Sequence, residues 1–196
     1  MKNTLHRREV VSLLLKDRGD LLVVAGLGST AWDVTAAGDS PLNFPLWGAM
    51  GNAAMIGLGL ALSQPKRRVL VLTGDGEMLM GLGSLATIGA QRPRNLSVVV
   101  IDNERYGETG MQRTHTAAGA DLAKVAKACG IKTAYLIRSR GQLMGLRAAI
   151  HRRPGPVYAQ VKVVAEKLPL VLPPRDGSLL KARFRKALLG VEADLA

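Results

Sequence analysis

The sequence predicts an α/β protein, organised as a single three-layer α/β/α domain with a mostly parallel sheet. Its 196 residues are enough for one hydrophobic core and fewer than two independent cores usually need. Hydrophobic residues make up 47% of the chain and charged residues 21%, which is typical of a compact domain and not of a disordered chain. Short apolar segments alternate with helical patterns, and this alternation favours parallel strands covered by helices on both faces.

The first predicted elements follow from apolar clusters and from prolines. Valines and leucines crowd one side of a helix over residues 1–18, and a short apolar strand follows over 21–25. Two prolines indicate an irregular, extended stretch over 41–48. Small residues over 51–63 predict a helix that packs closely against a neighbour, and Pro65 ends it.

Glycines and apolar runs predict the remaining elements. Residues 68–73 form a short apolar strand that Gly74-Asp75-Gly76 ends, and a helix over 77–90 leads to a buried strand over 96–101. This is a β-α-β unit with Asp75 at the carboxyl end of its first strand. After a polar stretch, the further predicted elements are a helix over 121–129, a strand over 133–137, a helix over 141–152 and a strand over 156–163.

The C-terminal part of the chain differs in character from the rest. We expect the domain to span residues 1–165 and residues 166–196 to form an extension. Prolines indicate an extended segment there, and a basic amphipathic helix follows over about 178–189. The apolar side of that helix could pack on a partner, or the helix could be a solvated surface.

Charge and composition exclude several classes of function. The net charge of +12 is spread over predicted loop corners and one late helix. Aromatic residues make up only 4% of the chain and do not alternate with the basic ones, so the stacking platforms of single-strand nucleic-acid binders are absent. The apolar stretch near the N-terminus is too short for a membrane span or a secretory signal. The single cysteine, Cys129, fits a reducing, cytoplasmic setting. We therefore expect neither nucleic-acid nor membrane binding.

Polar side chains at two strand ends indicate a site for a hard cation. Asp75 follows one predicted strand and Asp102-Asn103 the next, so a carboxylate and an amide oxygen should meet at adjacent strand ends. Mg²⁺ accepts such oxygen ligands together with diphosphate oxygens and water. Gly76 leaves room for a phosphate near the start of the following helix. The Gly-Asp-Gly tripeptide alone is a common turn, so the spacing to Asp102-Asn103 is the informative part.

A dinucleotide site is the competing interpretation of the first glycines. Gly26-x-Gly28-x-x-Ala31 after an apolar strand matches part of the dinucleotide fingerprint. That fingerprint expects an acidic residue about 20 positions further on. The stretch over 41–47 is rich in proline and contains no acidic residue, so this match is weak.

Gly74-Asp75-Gly76 and Asp102-Asn103 together resemble the GDG…NN signature of thiamine diphosphate enzymes, with Asp102 in place of the first asparagine. The resemblance implies that thiamine diphosphate and Mg²⁺ are bound, and that Asp75, Asn103 and the backbone carbonyl of Arg105 hold the metal. It implies that the carbonyl of Gly48 holds the pyrimidine amino group and that Met50 props the cofactor in its bent conformation. The further cofactor-binding residues that it implies are Gly28, Ser29, Thr30, Gly74, Gly76, Glu77 and Tyr106.

More narrowly, the chain is similar to sulfopyruvate decarboxylase β subunits and to the C-terminal part of phosphonopyruvate decarboxylases. The segments that carry this similarity are 50–63, 85–88 and 106–112. It implies decarboxylation of an anionic 2-oxo acid to an aldehyde, with Gln112, Arg113 and His115 near the substrate, although an exposed basic loop would explain Arg113 and His115 equally well.

The same resemblance implies a second subunit. Thiamine diphosphate enzymes use a glutamate from a pyrimidine-binding domain, for which this chain has no room, so we assign no catalytic residue to it. We expect an α subunit to supply that glutamate, in a hetero-oligomer with two or more copies of each chain. A carboligase or synthase subunit on the same cofactor and a non-catalytic anion-binding or structural subunit are the alternatives.

Overall fold

The computed structural model describes residues 4–194 and shows a six-stranded sheet between two layers of helices. The six strands are β1 (Leu22–Ala25), β2 (Asn43–Pro45), β3 (Val69–Gly74), β4 (Leu96–Asp102), β7 (Thr133–Ile137) and β8 (Val157–Lys162), and a small hairpin is formed by β5 (Arg105–Tyr106) and β6 (Gln112–Arg113). The helices are α1 (Arg7–Leu15), α2 (Ser29–Ala36), α3 (Ala53–Ser63), α4 (Asp75–Met80), α5 (Ser84–Gln91), α6 (Leu122–Ala128), α7 (Arg140–Arg152) and α8 (Gly177–Leu189), with 3-10 turns at His115–Ala118 and Gly190–Asp194. The predicted three-layer α/β/α fold is confirmed.

All described pairings in the large sheet are parallel, in the order β2-β1-β3-β4-β8-β7. The central strands are buried on both faces, which explains why they are continuous apolar runs and not alternating patterns. One apolar core lies between the sheet and α1, α2 and α7, and the other lies between the sheet and α3, α5 and α6. Since the strands are parallel, their carboxyl ends lie along one edge, where a ligand site is expected.

Two predicted elements were wrong in detail. The helix predicted over 77–90 is two helices, α4 and α5, separated at Gly81. A Cβ atom on Gly81 would lie 1.9 Å from the carbonyl oxygen of Gly51, so the helix breaks where two backbones touch. The stretch predicted to be irregular contains the edge strand β2, and Pro45 is tolerated there because an edge strand leaves one row of hydrogen-bonding groups unused.

The C-terminal segment packs on the edge of the sheet. The ring of Phe184 in α8 lies 5.2 Å from that of Phe44 in β2, and Arg183 pairs with Asp39. Before α8, the chain passes Trp47, whose indole N–H donates to the carbonyl of Pro174 at 2.8 Å. The expected boundary near residue 165 therefore separates two segments that contact each other. Within residues 4–194, no helix combines the length and the apolar character that a membrane crossing requires.

Candidate active site at the carboxyl ends of β3 and β4

Asp75 and Asp102 lie next to each other because β3 and β4 are neighbours in register. Gly74 pairs with Ile101, so the residue that follows each of them lies at the same edge of the sheet. Asp75 opens α4 and is 2% exposed, whereas Asp102 ends β4 and is fully buried. The sequence folds this way because Gly74 and Gly76 leave the turn around Asp75 free of side chains.

Two threonine hydroxyls contact these carboxylates, and that of Thr116 lies between them. The hydroxyl of Thr114 donates to Asp75 Oδ2, and that of Thr116 lies 3.1 Å from the same oxygen and 2.8 Å from Asp102 Oδ1. The hairpin of β5 and β6 brings both threonines to the strand ends, since the Thr114 amide donates to the carbonyl of Glu104. Both threonines are buried.

A lysine and a glutamine of β8 hold the other oxygen of Asp102. Lys162 Nζ lies 2.8 Å and Gln160 Nε2 lies 2.6 Å from Asp102 Oδ2. Lys162 also donates to Glu104 Oε1 at 2.7 Å. Burial alone would lower the pKa of Lys162, but the hydrogen bonds to Asp102 and Glu104 raise it above its usual value, so the ammonium remains charged.

Asp75 has no comparable counter-charge. Burial, and then the neighbouring charge of Asp102, raise the pKa of Asp75 to about 6, although both threonine hydroxyls act in the opposite direction. Among residues 4–194, no Lys, Arg or His side chain forms an ion pair with it. A bound cation would supply the missing positive charge.

The atoms around Asp75 fit a magnesium ion. Asn103 follows Asp102 directly, and its Oδ1 accepts one hydrogen bond from the Arg105 amide at 2.9 Å, which leaves a second lone pair. Glu104 has a φ of +62°, and this left-handed turn separates Asn103 from Arg105. No three His, Cys, Asp or Glu side chains come together as a metal site in the described part of the chain. A metal held here would therefore need amide, carbonyl and ligand oxygens besides Asp75, which suits Mg²⁺ and not zinc.

A cleft of about 560 Å³ opens beside this cluster. A Cβ atom on Gly76 would lie 2.4 Å from Cε1 of Tyr106, so the ring of Tyr106 rests against the bare backbone of α4. The residues that line the cleft are Met50, Gly76, Leu79, Met80, Tyr106, Thr109 and His115. Four of these, Met50, Gly76, Tyr106 and His115, are predicted site residues. A larger groove of about 1020 Å³ between α1 and α7 contains none of the predicted site residues.

The first glycine loop lies at the carboxyl end of β1. Gly28 has a φ of +74°, and the carboxylate of Glu108 lies 3.1 Å from the position of its absent Cβ. The Thr30 hydroxyl donates to the carbonyl of Gly26 at 2.7 Å and is buried, so that hydroxyl is already used, whereas Ser29 is only partly buried. Gly48 is exposed, between Trp47 and the cleft residue Met50.

Glu77 points into the protein and not into the cleft. Its side chain accepts from Thr73 at 2.8 Å, and a Cβ atom on Gly26 would lie 1.8 Å from Glu77 Oε2. Burial raises the pKa of Glu77 above its usual value. Gly26 is therefore a glycine because Glu77 packs against it. This packing explains one of the two glycines that resemble the dinucleotide fingerprint, without a dinucleotide. If Glu77 takes part in cofactor binding, its backbone and not its carboxylate would make the contact.

The three predicted substrate residues lie on β6 and on the 3-10 turn that follows it, and they face different ways. His115 lines the cleft. Gln112 Nε2 donates to the carbonyl of Thr109 at 2.7 Å, and Arg113 donates to that of Ala117 at 2.7 Å, so both side chains are engaged with their own loop. The fold brings His115 to the cleft, whereas Gln112 and Arg113 are exposed and are not among the residues that line it.

Sequence reasoning missed four residues of the cluster, Thr114, Thr116, Gln160 and Lys162. A signal for the last two was present, because Gln160 and Lys162 are polar residues two apart in an otherwise apolar strand. Two such side chains on one face of a buried strand need polar partners, and the neighbouring strand ends in Asp102.

Comparison with known proteins identifies the family of the chain. Residues 28–161 match the family model described as thiamine pyrophosphate enzyme, C-terminal TPP binding domain. The chain is 39% identical to sulfopyruvate decarboxylase subunit beta of Methanothermobacter thermautotrophicus over 97% of this chain and 99% of that one. It is 41% identical to sulfopyruvate decarboxylase subunit beta of Methanocaldococcus jannaschii over 65% of this chain and 68% of that one.

Two larger proteins resemble it over part of their length. The chain is 40% identical to phosphonopyruvate decarboxylase of Streptomyces viridochromogenes over 74% of this chain, and the match spans 36% of that enzyme. A solved structure of a thiamin diphosphate-dependent enzyme from Mycobacterium smegmatis superposes with a TM-score of 0.68 over 83% of this chain and 32% of that one, at 22% identity, which shows the fold. On the strength of the family match and the near full-length relatives, the chain belongs to the thiamine pyrophosphate enzymes and, within them, to the family of sulfopyruvate decarboxylase β subunits.

Proposed function

We propose that this chain is the thiamine diphosphate- and Mg²⁺-binding subunit of a decarboxylase that converts an anionic 2-oxo acid to an aldehyde and CO₂, and that a pyrimidine-domain subunit completes its site. The observation that carries the proposal is the placement of Asp75 and Asn103 at the ends of the neighbouring strands β3 and β4, beside a cleft that Gly76 lines. The family membership and the names of the relatives support the reaction class.

Asp75, Asn103 and the carbonyl of Arg105 would hold the metal. Asp75 is a buried carboxylate without a cationic partner among the described residues, and burial of an unpaired charge is unfavourable. Magnesium would neutralise it and at the same time bind the diphosphate, whose oxygens complete the octahedral geometry that the ion requires. The threonines that contact Asp75 would keep the carboxylate in place during binding.

Other residues of the chain would orient the cofactor and shield it. Met50 and Tyr106 line the same cleft as Gly76, so an apolar side chain and an aromatic ring lie beside the position assigned to the diphosphate. Ser29 and the backbone around Gly28 form a second loop at the carboxyl end of β1, the strand beside β3. Bound thiamine diphosphate supplies the electron sink for loss of CO₂, and the protein supplies orientation and charge.

A partner subunit is expected to supply the activating glutamate. No glutamate lines the cleft within residues 4–194. Glu77 is buried against Gly26, Glu104 pairs with Lys162, and Glu166 contacts His6. Glu108 lies against Gly28 of the first glycine loop and is not among the residues that line the cleft. The designation "subunit beta" of the near full-length relatives supports an α chain as the source of the missing glutamate.

The substrate would enter over the basic rim of the cleft. His115 lines the cleft, and Arg113 lies two residues before it in β6, with its guanidinium hydrogen-bonded to the carbonyl of Ala117. A sulfonate or phosphonate tail is the type of group that such side chains bind. The names of the relatives support this class of substrate.

Calorimetric titration tests the proposal. Thiamine diphosphate with Mg²⁺ is titrated into the chain alone and into the chain co-expressed with a pyrimidine-domain subunit, and we expect binding that requires Mg²⁺ and is much tighter in the mixture. Asp75→Ala should abolish it, whereas Asp17→Asn, which changes an exposed carboxylate with a φ of +52° that asparagine accepts, should not.

Product analysis then separates the reactions. Sulfopyruvate and phosphonopyruvate are supplied to the assembled enzyme, and the proposal expects CO₂ and a free aldehyde. An acyloin product would identify a carboligase instead. Absence of cofactor binding in both samples would reject the proposed function.

A further inference from the structure

Lys162 and Asp102 form a buried ion pair between two neighbouring strands. They are register partners on β8 and β4, and they are 4% and 0% exposed. Removing two charges from water is costly, and an apolar pair would often be as stable in such a position. A role beyond stability is therefore a reasonable hypothesis for this pair.

The contacts of Asp102 fix its carboxylate completely. Oδ2 accepts from Lys162 and Gln160, and Oδ1 accepts from the Thr116 hydroxyl at 2.8 Å and from the Glu104 amide at 3.1 Å. Lys162, Gln160 and the Glu104 amide bind Asp102 whichever way the Thr116 hydroxyl points, and Thr116 adds a fourth donor when its hydrogen is directed at Oδ1. Asp102 is thus an anchor whose orientation does not depend on a metal.

Thr116 links the fixed carboxylate of Asp102 to that of Asp75. The hydroxyl of Thr116 has one hydrogen, which it can donate either to Asp102 Oδ1 or to Asp75 Oδ2, and its oxygen also lies 2.9 Å from that of Thr114. Thr114 donates to Asp75 Oδ2 as well. Both hydroxyl contacts of Asp75 go to Oδ2, so its other oxygen is free of them and can bind a cation.

We propose that Lys162 is a positioning residue for the metal site, which acts through Asp102 and Thr116 to hold the Asp75 carboxylate in one orientation. The positive charge of Lys162 compensates the negative charge of Asp102. The lysine therefore allows an aspartate at the position where the family signature has an asparagine. The effect of Lys162 on metal binding rests on the proposed function. The effect of Lys162 on the structural order of residues 114–119 does not.

Metal affinity is the first test. Mn²⁺, as a paramagnetic substitute for Mg²⁺, is titrated with thiamine diphosphate into the assembled two-chain enzyme and followed by electron paramagnetic resonance. Lys162→Met should weaken Mn²⁺ binding about 10-fold, the effect expected of a residue that supports a ligand. The double variant Asp102→Asn with Lys162→Met should recover most of the loss, because an amide accepts from Thr116 without a counter-charge.

A kinetic comparison separates positioning from general damage. At saturating metal, the kcat of Lys162→Met should stay within about 3-fold of the unchanged enzyme, because the effect lies in metal affinity. Lys124→Met is the matched control, since Lys124 forms a 3.5 Å pair with Asp121 and its side chain is 83% exposed. It should leave Mn²⁺ affinity unchanged.

Amide hydrogen exchange tests the network without metal. In the full chain with no metal added, Lys162→Met should speed exchange of the Thr114, Ala117 and Gly119 amides at least 10-fold relative to the central strands. The double variant should restore their protection. If the unchanged enzyme binds no Mn²⁺, the proposed function fails, and this exchange comparison still decides whether Lys162 orders the segment.

A second variant covers the case in which Lys162→Met does not fold. Thr116→Val removes only the hydroxyl that connects the two carboxylates, and it should weaken Mn²⁺ binding to a similar extent. The proposal is overturned if folded Lys162→Met and Thr116→Val both keep Mn²⁺ affinity within 2-fold, or if the double variant is no better than Lys162→Met.

Discussion

Two clusters of buried carboxylates differ in how their charge is balanced. In the first, Asp33 of α2 is contacted by two guanidinium groups, since Arg7 donates to Oδ2 and Arg8 donates to Oδ1 at 3.0 Å. In the second, Asp75 and Asp102 lie side by side, and of these two aspartates Lys162 contacts only Asp102. Both clusters are nine-tenths buried or more at their aspartates. The first has an excess of positive charge and the second an excess of negative charge.

The difference separates a structural cluster from a binding site. Burial raises the pKa of Asp33, but Arg7 and Arg8 oppose that effect, so the cluster is complete as it stands. Arg7 also donates to the carbonyl of Ser29 and so ties α1 to the first glycine loop. For Asp75, burial and the Asp102 charge act in the same direction and raise the pKa to about 6. A buried charge that the chain leaves unbalanced is where a cation should bind.

The largest effect is expected from breaking the balanced cluster. Arg7→Met should lower the free energy of unfolding by about 3 kcal/mol, because it removes one partner of a buried pair and leaves Asp33 with Arg8 alone. Urea denaturation of the full chain measures it. Arg147→Met is the control, since Arg147 pairs at 3.4 Å with an exposed aspartate, Asp17, and its loss should cost about 1 kcal/mol or less. Equal losses in the two variants would show that Asp33 does not need both arginines.

The two aspartates should respond to the same substitution with opposite signs. Without metal, Asp75→Asn should stabilise the chain by about 1 kcal/mol, because it removes a buried charge that lies beside Asp102. Asp33→Asn should destabilise it by about 2 kcal/mol, because two arginines lose their carboxylate. Thermal melting with and without Mg²⁺ and thiamine diphosphate measures both, and Asp75→Asn should also lose the ligand-induced shift. Destabilisation of the metal-free protein by Asp75→Asn would contradict the charge argument.

A smaller effect concerns the polar face of β8. Tyr158 lies two residues before Gln160 on that face, and its hydroxyl is buried without a hydrogen-bond partner among the described residues. Tyr158→Phe should therefore raise the free energy of unfolding by about 1 kcal/mol, whereas Gln160→Met should lower it because Asp102 loses a donor. Chemical denaturation gives both values. A loss of stability in Tyr158→Phe would mean that the hydroxyl has a partner in solution, such as a buried water.

The fold was predictable because its signals are local. The apolar strands, the glycines after them and the helical patterns between them occur in order along the chain, and each depends on neighbouring residues. The errors came from contacts between distant residues. Gly81 breaks a continuous helical pattern because it touches the backbone of Gly51, and β2 is a strand because β1 offers it an edge.

The candidate site was predictable only where a motif lies at a strand end. Asp75, Asn103 and Gly76 follow strands directly, so their position could be inferred from the sheet. Thr114, Thr116 and Lys162 reach the site through a hairpin and through β8, and no spacing rule connects them with Asp75. Asp102 illustrates the limit, because the sequence shows the departure from the asparagine but not the lysine that balances it.

The smallest change in the free energy of unfolding should come from an exposed ion pair, which can be compared with the buried pairs above. Arg183 contacts both oxygens of Asp39, and its hydrogen bonds hold the pKa of Asp39 below its usual value, but the Asp39 side chain is 45% exposed. A lowered pKa in the folded state stabilises the protein above the unfolded pKa, and this contribution is lost as the pH falls below roughly 4. Arg183→Met should therefore cost about 0.5 kcal/mol at pH 7 and less at pH 3, and salt should reduce the cost further. Urea titrations at both pH values measure it, with Lys181→Met as the control on the same helix. A cost that does not change with pH would assign the effect to packing of α8 on β2 and not to charge.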